Sequence, residues 1–240
     1  MKDEELLISG ANKLGLELSS YQVKQFLDYM EYLQKWNKKI NLTAIDNSRE
    51  IIIKHFLDSI SCVTEMNLQK GDKVIDIGTG PGFPGIPLKI INPGIELSLL
   101  DSTNKKVNFL KNLSRKLDLN DIDFIHGRAE DYGQETDYRE KFDFVVARAV
   151  SSLNILCEYT IPFLKHGGRF IAQKGGEVKN EIIEAERTIE ILGAEFYDVV
   201  SIDLPYADVE RCLVIINKIR KTPSKYPRRA GIPKQSPISN

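Results

Sequence analysis

From Lys73 onward the chain changes rhythm. Short runs rich in branched and aromatic residues, at 73–77, 96–100, 122–126, 142–147 and 169–172, alternate with helix-like stretches at 84–91, 104–117, 151–164 and 178–192. This alternation predicts a mostly parallel sheet with helices on both faces. The ending breaks the rule. Runs at 195–202 and 212–218 have no helix between them, only a loop containing Pro205. They predict a terminal hairpin, so one strand should lie antiparallel. At 240 residues the chain suits one large α/β domain, or one such domain with a small appendage. The expected division is a helical extension over 1–70, the α/β domain over 71–218, and a tail over 219–240.

The first seventy residues carry no strand pattern. Ser19 and Gln22 have capping-box spacing ahead of Val23, Phe26, Leu27, Met30, Leu33, Trp36 and Ile40, an apolar stripe at steps of three and four. A second stripe carries Ile52, Ile53, Phe56, Leu57, Ile60 and Val63. Apolar residues make up 42% of the chain, enough to exclude wholesale disorder, and no stretch approaches the length of a membrane-spanning helix. The acidic start, MKDEELLISG, is unlike a secretory leader, so a cytoplasmic protein is expected. Cys62, Cys157 and Cys212 stand far apart and read as reduced core thiols. His55, His126 and His166 are equally scattered, so no metal site is expected.

The first strand runs into VIDIGTGPGFPG, residues 74–85. Gly78, Gly80 and Gly82 alternate in a tight turn before a helix, where glycine permits positive φ and close approach of a ligand to the backbone. Gly80 to Gly85 satisfies the GxGxxG pattern, and Asp101 follows at the end of the next strand, where an acid can hold a ribose hydroxyl. A nicotinamide dinucleotide is therefore one reading. Two details favour S-adenosylmethionine. Asp76 precedes the first glycine by two residues, where a carboxylate can organise the loop and help hold a cationic amino-acid end. Pro81 and Pro84 remove amide donors that a pyrophosphate needs. A sheet that alternates and then closes with a hairpin also resembles the Rossmann-like, seven-stranded class I methyltransferase fold.

Other strand ends add candidates. The 122–126 run enters Gly127-Arg128-Ala129-Glu130-Asp131, where an acid and backbone amides can read an adenine edge. The 142–147 run enters Arg148, at the carboxyl edge where ligands of open sheets gather. Net charge is −1, yet the last thirty residues hold eight basic residues and no acid, which points to local contact with an anionic macromolecule. Four prolines after Lys218 predict an extended tail, mobile until RNA orders it.

Together VIDIGTGPGFPGIPLKI, KWNKKINLTAI, IKHFLDSI, DSTNKKVNFL, GRAED, VVARAV and YPRRAGIPKQSPI resemble the bacterial 16S rRNA guanine-7-nitrogen methyltransferases, also called glucose-inhibited division protein B. The resemblance runs from about residue 35 to 238. It implies a class I fold with an N-terminal helical extension, S-adenosylmethionine as cofactor, and one guanine of small-subunit rRNA as target. It also implies that Gly78 and Phe83 line the cofactor site, that Asp101 and Ser102 lie by the ribose, Ala129 and Glu130 by the adenine, and Arg148 near the reactive end.

Guanine nitrogen-7 has an in-plane lone pair and no proton at neutral pH. Its methylation needs alignment and a shaped site rather than a general base. The end of the fourth strand reads ARAV, without the Asn/Asp-Pro-Pro-aromatic motif of exocyclic-amine methylation. Arg148 has two candidate roles, donating to guanine oxygen-6 or binding the cofactor carboxylate. Lys174, Arg228 and Arg229 are candidate RNA contacts against a reading as solvated surface, and Tyr226 beside the arginines is placed to stack on an unpaired base. His55 and Asp58, three apart on a helix, either pair with each other or reach the cleft. The competing functions are an rRNA-binding assembly factor without turnover and a nicotinamide-dependent oxidoreductase. The expected partner is 16S rRNA or the small subunit, with the protein a monomer.

Overall fold

The computed structural model describes residues 1–148, 151–176 and 178–238. The strands are β1 (Lys73–Ile77), β2 (Glu96–Asp101), β3 (Ile122–His126), β4 (Phe142–Arg148), β5 (Leu164–Gly175), β6 (Ala194–Asp203) and β7 (Glu210–Lys218). They form one sheet in the order β3-β2-β1-β4-β5-β7-β6. Pairing is parallel from β3 through β5, while β7 lies antiparallel to both β5 and β6. The hairpin expected from the pattern is present, and its second strand inserts between β5 and the edge. β5 is longer than the expected run at 169–172: Gln173 to Gly175 pair with β7, and Lys165 to Gly168 bulge between the Leu164 and Arg169 pairings with β4.

The chain winds outward from β1 to β3 and then returns to lay β4 on the other side of β1. The carboxyl ends of β1 and β4 therefore flank the point where strand order reverses, which is where open α/β sheets bind ligands. Both faces of the sheet are covered. Val74, Val146 and Ile171 point to one apolar cluster, and their neighbours Ile75, Val145, Ala147, Phe170 and Ala172 to the other, following the two-residue strand period.

The helical extension belongs to the first cluster. Its helices Asp3–Lys13 and Ser20–Ile40 contribute Leu6, Leu7, Phe26, Tyr29 and Leu33 to the core that also holds Phe83 and Phe109. The change of pattern near residue 70 is thus a change of secondary structure with one core across it. Ser19 and Gln22 form the capping box, and the Gln22 amide also donates to the Ile90 carbonyl at 3.0 Å, tying this helix to the one after the glycine turn. The second stripe is a helix over 48–60 whose middle, Ile52–Leu57, is π-helical.

The tail departs from expectation. Its prolines and basic composition predict an extended, mobile segment, yet it packs on the body and carries a short helix, Ile232–Gln235. At its root Lys218 is buried, donating to the Ile161 carbonyl at 3.1 Å and to Thr222. Arg139 donates to the carbonyls of Tyr226 at 2.7 Å and Thr222 at 2.8 Å. Extended backbone with few apolar side chains still orders when its carbonyls find side-chain donors on the body, and composition alone does not reveal those donors.

Candidate active site

The turn after β1 is closed by its own hydrogen bonds. The amides of Gly78 and Thr79 donate to the Leu100 carbonyl at the end of β2, and those of Gly82 and Phe83 to the Thr79 carbonyl. Gly80 donates to Asp101 Oδ2 at 2.9 Å, and Gly85 to Asp76 Oδ2 at 2.8 Å. Pro81 and Pro84 have no N–H. Every amide from Gly78 to Gly85 is therefore absent or already engaged, so the turn offers no donor to a pyrophosphate. Gly78, Gly80 and Gly82 all take positive φ, at 71°, 61° and 108°. A Cβ built on Gly80 would meet no protein atom within 4 Å, so the backbone there faces open space. A ligand with a neutral sugar and a cationic amino-acid end fits such a turn, and a dinucleotide does not.

Asp76 lies beneath the turn, fully buried, with Thr79 Oγ1 donating to its Oδ2 at 2.7 Å. Burial pushes its carboxyl up to about 7, against the pull of those two hydrogen bonds. Through Oδ2 it organises the loop, while its Oδ1 is buried and, among the described residues, without a hydrogen-bond partner. Asp101 is also engaged on both oxygens, by Gly80 and by the Thr103 amide at 2.8 Å. Next to it the Asp101 carbonyl accepts from Gly127, which brings Ser102, Ala129 and Glu130 to the same carboxyl edge. Glu130 is buried, and its Oε1 accepts the Gly231 amide of the tail at 2.9 Å.

Arg148, at the end of β4, is the hub on the other side of the turn. It donates to Asp58 Oδ2 at 2.9 Å, to the Lys54 carbonyl at 3.1 Å and to His55 Nδ1 at 3.2 Å. Its guanidinium lies 4.9 Å from the centre of the Phe83 ring, a cation–π distance. His55 stacks on the other residues of this group through Phe83, with ring centres 4.5 Å apart. Burial and the Arg148 charge lower the His55 pKa to about 3, so the imidazole is neutral. Nδ1 lies 3.2 Å from both the Arg148 guanidinium and the Lys54 carbonyl, and Nε2 pairs with Thr43 Oγ1 at 2.8 Å. His55 and Asp58 are thus both satisfied, but through Arg148 rather than by bonding each other. Asp58 Oδ1 also pairs with Arg211 Nε at 3.3 Å.

The RNA candidates separate. Lys174 is not solvated surface: it donates to Glu181 and to the Ser151 carbonyl, each at 2.7 Å, beside the cleft next to Arg148. Tyr226 is buried in the second apolar cluster, so its ring is not available for stacking on a base. Arg228 grips buried Glu158 through Nη2 at 2.6 Å and Nε at 2.9 Å, a structural ion pair. Arg229 alone of the three tail candidates is exposed. Of the ARAV segment, Ala149 and Val150 lie outside the described residues.

Sequence reading missed Tyr29. Its hydroxyl donates to the Pro81 carbonyl at 2.6 Å, and its ring stacks on Phe83 at 5.3 Å, so the helical extension braces the turn directly. It also missed Thr79, Arg211 and Gln173. The only signal for Tyr29 was its place on the apolar stripe, which any core residue shares.

The strand order, the closed glycine turn at the switch point, and acids at the ends of β2 and β3 define a class I S-adenosylmethionine-dependent methyltransferase. Solved structures share the fold. A putative methyltransferase complexed with the Trm112 activator of Haloferax volcanii aligns with a TM-score of 0.57 over 78% of this chain and 98% of that one, at 14% identity. TYW2 of M. jannaschii, solved in complex with AdoMet, aligns with a TM-score of 0.53 over 68% of this chain and 77% of that one, at 17% identity. A family profile described as rRNA small subunit methyltransferase G matches residues 22–210. Proteins called ribosomal RNA small subunit methyltransferase G are 49% identical in Alkaliphilus oremlandii, over 99% of this chain and 100% of that protein, and 46% in Clostridium botulinum strain Loch Maree, over 97% and 98%. The chain belongs to the rRNA small subunit methyltransferase G family.

Proposed function

We propose that the protein transfers a methyl group from S-adenosylmethionine to nitrogen-7 of one guanine in 16S rRNA, acting in the cytoplasm on the small ribosomal subunit or its RNA. The observation that carries the cofactor is the glycine turn: its amides are engaged internally while the backbone at Gly80 faces open space. The relatives' names carry the macromolecular substrate. The cofactor supplies a methyl group on a sulfonium centre. Gly80, with Gly78 beside it, gives it backbone to lie against, while the bare face of Gly82 packs instead on Ile86, Tyr29 and Leu110; Asp101 and Ser102 stand at the ribose position, and Ala129 with Glu130 at the adenine.

The chemistry fits a site without a base. His55 is the imidazole nearest Arg148, and with a pKa of about 3 it is too weak to take a proton productively at neutral pH. Nitrogen-7 has none to give. What the reaction requires is in-line placement and exclusion of water, and the Tyr29, Phe83, His55 and Arg148 stack supplies a rigid wall for that. Three of the five Arg148 N–H groups are engaged by Asp58, Lys54 and His55, which leaves two for a ligand oxygen. Oxygen-6 of guanine, adjacent to nitrogen-7, is the acceptor they suit. Exposed Arg229 is the tail residue suited to phosphate.

The test is incubation of the purified protein with 16S rRNA and labelled S-adenosylmethionine, followed by digestion to nucleosides. Label in 7-methylguanosine is expected. Label in another nucleoside, or none with intact cofactor binding, refutes the assignment.

A further inference from the structure

Beside Arg148 a cleft of about 290 Å³ opens between the helix over 48–60 and the carboxyl ends of β4 and β5, and its lining includes Ile45, His55, Asp58, Gln173 and Arg211. Gln173 sits directly across the ladder from Arg148. Its Nε2 donates to the Asp58 carbonyl at 2.6 Å, which fixes the amide orientation. The other end of that amide is unusual. Gln173 Oε1 is buried and, among the described residues, has no hydrogen-bond partner. A buried acceptor without a donor is destabilising in itself, and at the wall of a cleft it is open to pairing with a ligand's donor; Ser59 Oγ, Asp76 Oδ1 and Asn92 Nδ2 are the other buried polar atoms so left among the described residues. Next to it stands the Asp58 carboxylate, each oxygen of which carries one arginine and has a lone pair left.

Gln173 and Asp58 therefore line the cleft beside Arg148 and Arg211, with the Gln173 acceptor just beneath its wall. Among the four bases, guanine alone has two adjacent donors, N1–H and the N2 amine, next to an acceptor, oxygen-6. Adenine presents an acceptor at N1, and uracil flanks its one donor with acceptors. Guanine entering with oxygen-6 toward the arginines would turn its N1–H and N2 amine toward Asp58 and Gln173. We propose that this cleft is the pocket of the target base, in which Gln173 Oε1 accepts the N2 amine and Asp58 accepts N1–H. Gln173 is then a specificity-determining residue. The inference rests on the guanine-N7 reading above and names how the base is chosen.

Inosine lacks only the N2 amine and keeps oxygen-6 and nitrogen-7. The experiment compares kcat/KM on small-subunit rRNA carrying guanine or inosine at the methylated position, for the native protein, Gln173→Leu and Gln173→Glu. Circular dichroism and cofactor affinity establish that each variant is folded. The native protein should prefer guanine by about tenfold, the value of one good hydrogen bond. Gln173→Leu should treat the two bases alike within about twofold, while Gln173→Glu, which keeps an acceptor, should retain the preference. Equal rates on both bases with the native protein overturn the proposal without reference to any variant. So does a preference that survives intact in folded Gln173→Leu. Absence of 7-methylguanosine on unmodified RNA would instead refute the guanine-N7 reading itself.

Discussion

Replacing Arg228 with alanine should unfold the tail before it weakens RNA binding. Arg228 contacts Glu158 with two guanidinium nitrogens, at 2.6 and 2.9 Å, and with its own amide at 2.8 Å. Glu158 is 1% exposed, while the arginine side chain is 25% exposed. Removing one partner of a buried pair leaves an uncompensated charge and costs about 3–5 kcal/mol. The lower end applies here, because the amide at 228 still donates and water can enter from the arginine's side. With a total stability of roughly 5–15 kcal/mol, a loss of about 3 kcal/mol is large. Urea unfolding should show a midpoint lower by roughly 1 M or more, given slopes of about 1–3 kcal/mol/M. Hydrogen exchange should show lost protection at the Gly231 amide, which bonds Glu130, and cofactor affinity should fall with it. Arg229→Ala, one residue on and exposed, should leave stability within about 0.5 kcal/mol and weaken RNA binding with a shallower salt dependence. If Arg228→Ala keeps its midpoint and its amide protection while RNA affinity drops, the ion pair is incidental and the tail is an RNA arm.

Three further outcomes follow from the site. Gly80→Asn, tolerable in the left-handed region and free of protein clashes, should leave a folded protein with cofactor affinity reduced at least about tenfold by calorimetry; unchanged affinity would move the cofactor away from this turn. Single-turnover methylation at saturating cofactor and RNA should show no essential base between pH 6 and 9, since His55 titrates near 3; a rate rising tenfold per pH unit through neutrality would contradict this. Because the folded state raises the Asp76 pKa to about 7, folding takes up a proton between the usual carboxylate range and neutrality. Stability should therefore fall as pH rises through that window, by up to about 3 kcal/mol between pH 5 and 8. Asp76→Asn should flatten this fall, and an identical pH dependence of urea midpoints in both proteins would refute the assignment.

Much of the architecture was legible because period and punctuation agree with the fold. The runs at 73–77 and 122–126 match β1 and β3 residue for residue, and the absence of a helix around Pro205 correctly implied the antiparallel β7. The turn was legible because glycine and proline act locally: positive φ at Gly78, Gly80 and Gly82 and missing amides at Pro81 and Pro84 are properties of those residues alone. What escaped depends on distant partners. Tyr226 and Arg228 read as a nucleic-acid arm from composition, but Glu158 and Arg139, far back in the chain, bind them to the body. Asp58 and His55 meet at Arg148 because β4 ends beneath a partly π-helical segment, a geometry that three-residue spacing does not encode. The unpaired acceptor of Gln173 is a property of packing, invisible in AQKGG.

Mass spectrometry of 16S rRNA from cells lacking this protein tests the central claim most directly. One guanine-containing fragment should lose a single methyl group that nucleoside analysis assigns to 7-methylguanosine. The purified protein with S-adenosylmethionine should restore that methyl group to the same fragment. Fully methylated rRNA in the deletion strain, or restoration by a protein whose glycine turn has lost cofactor binding, would contradict the account.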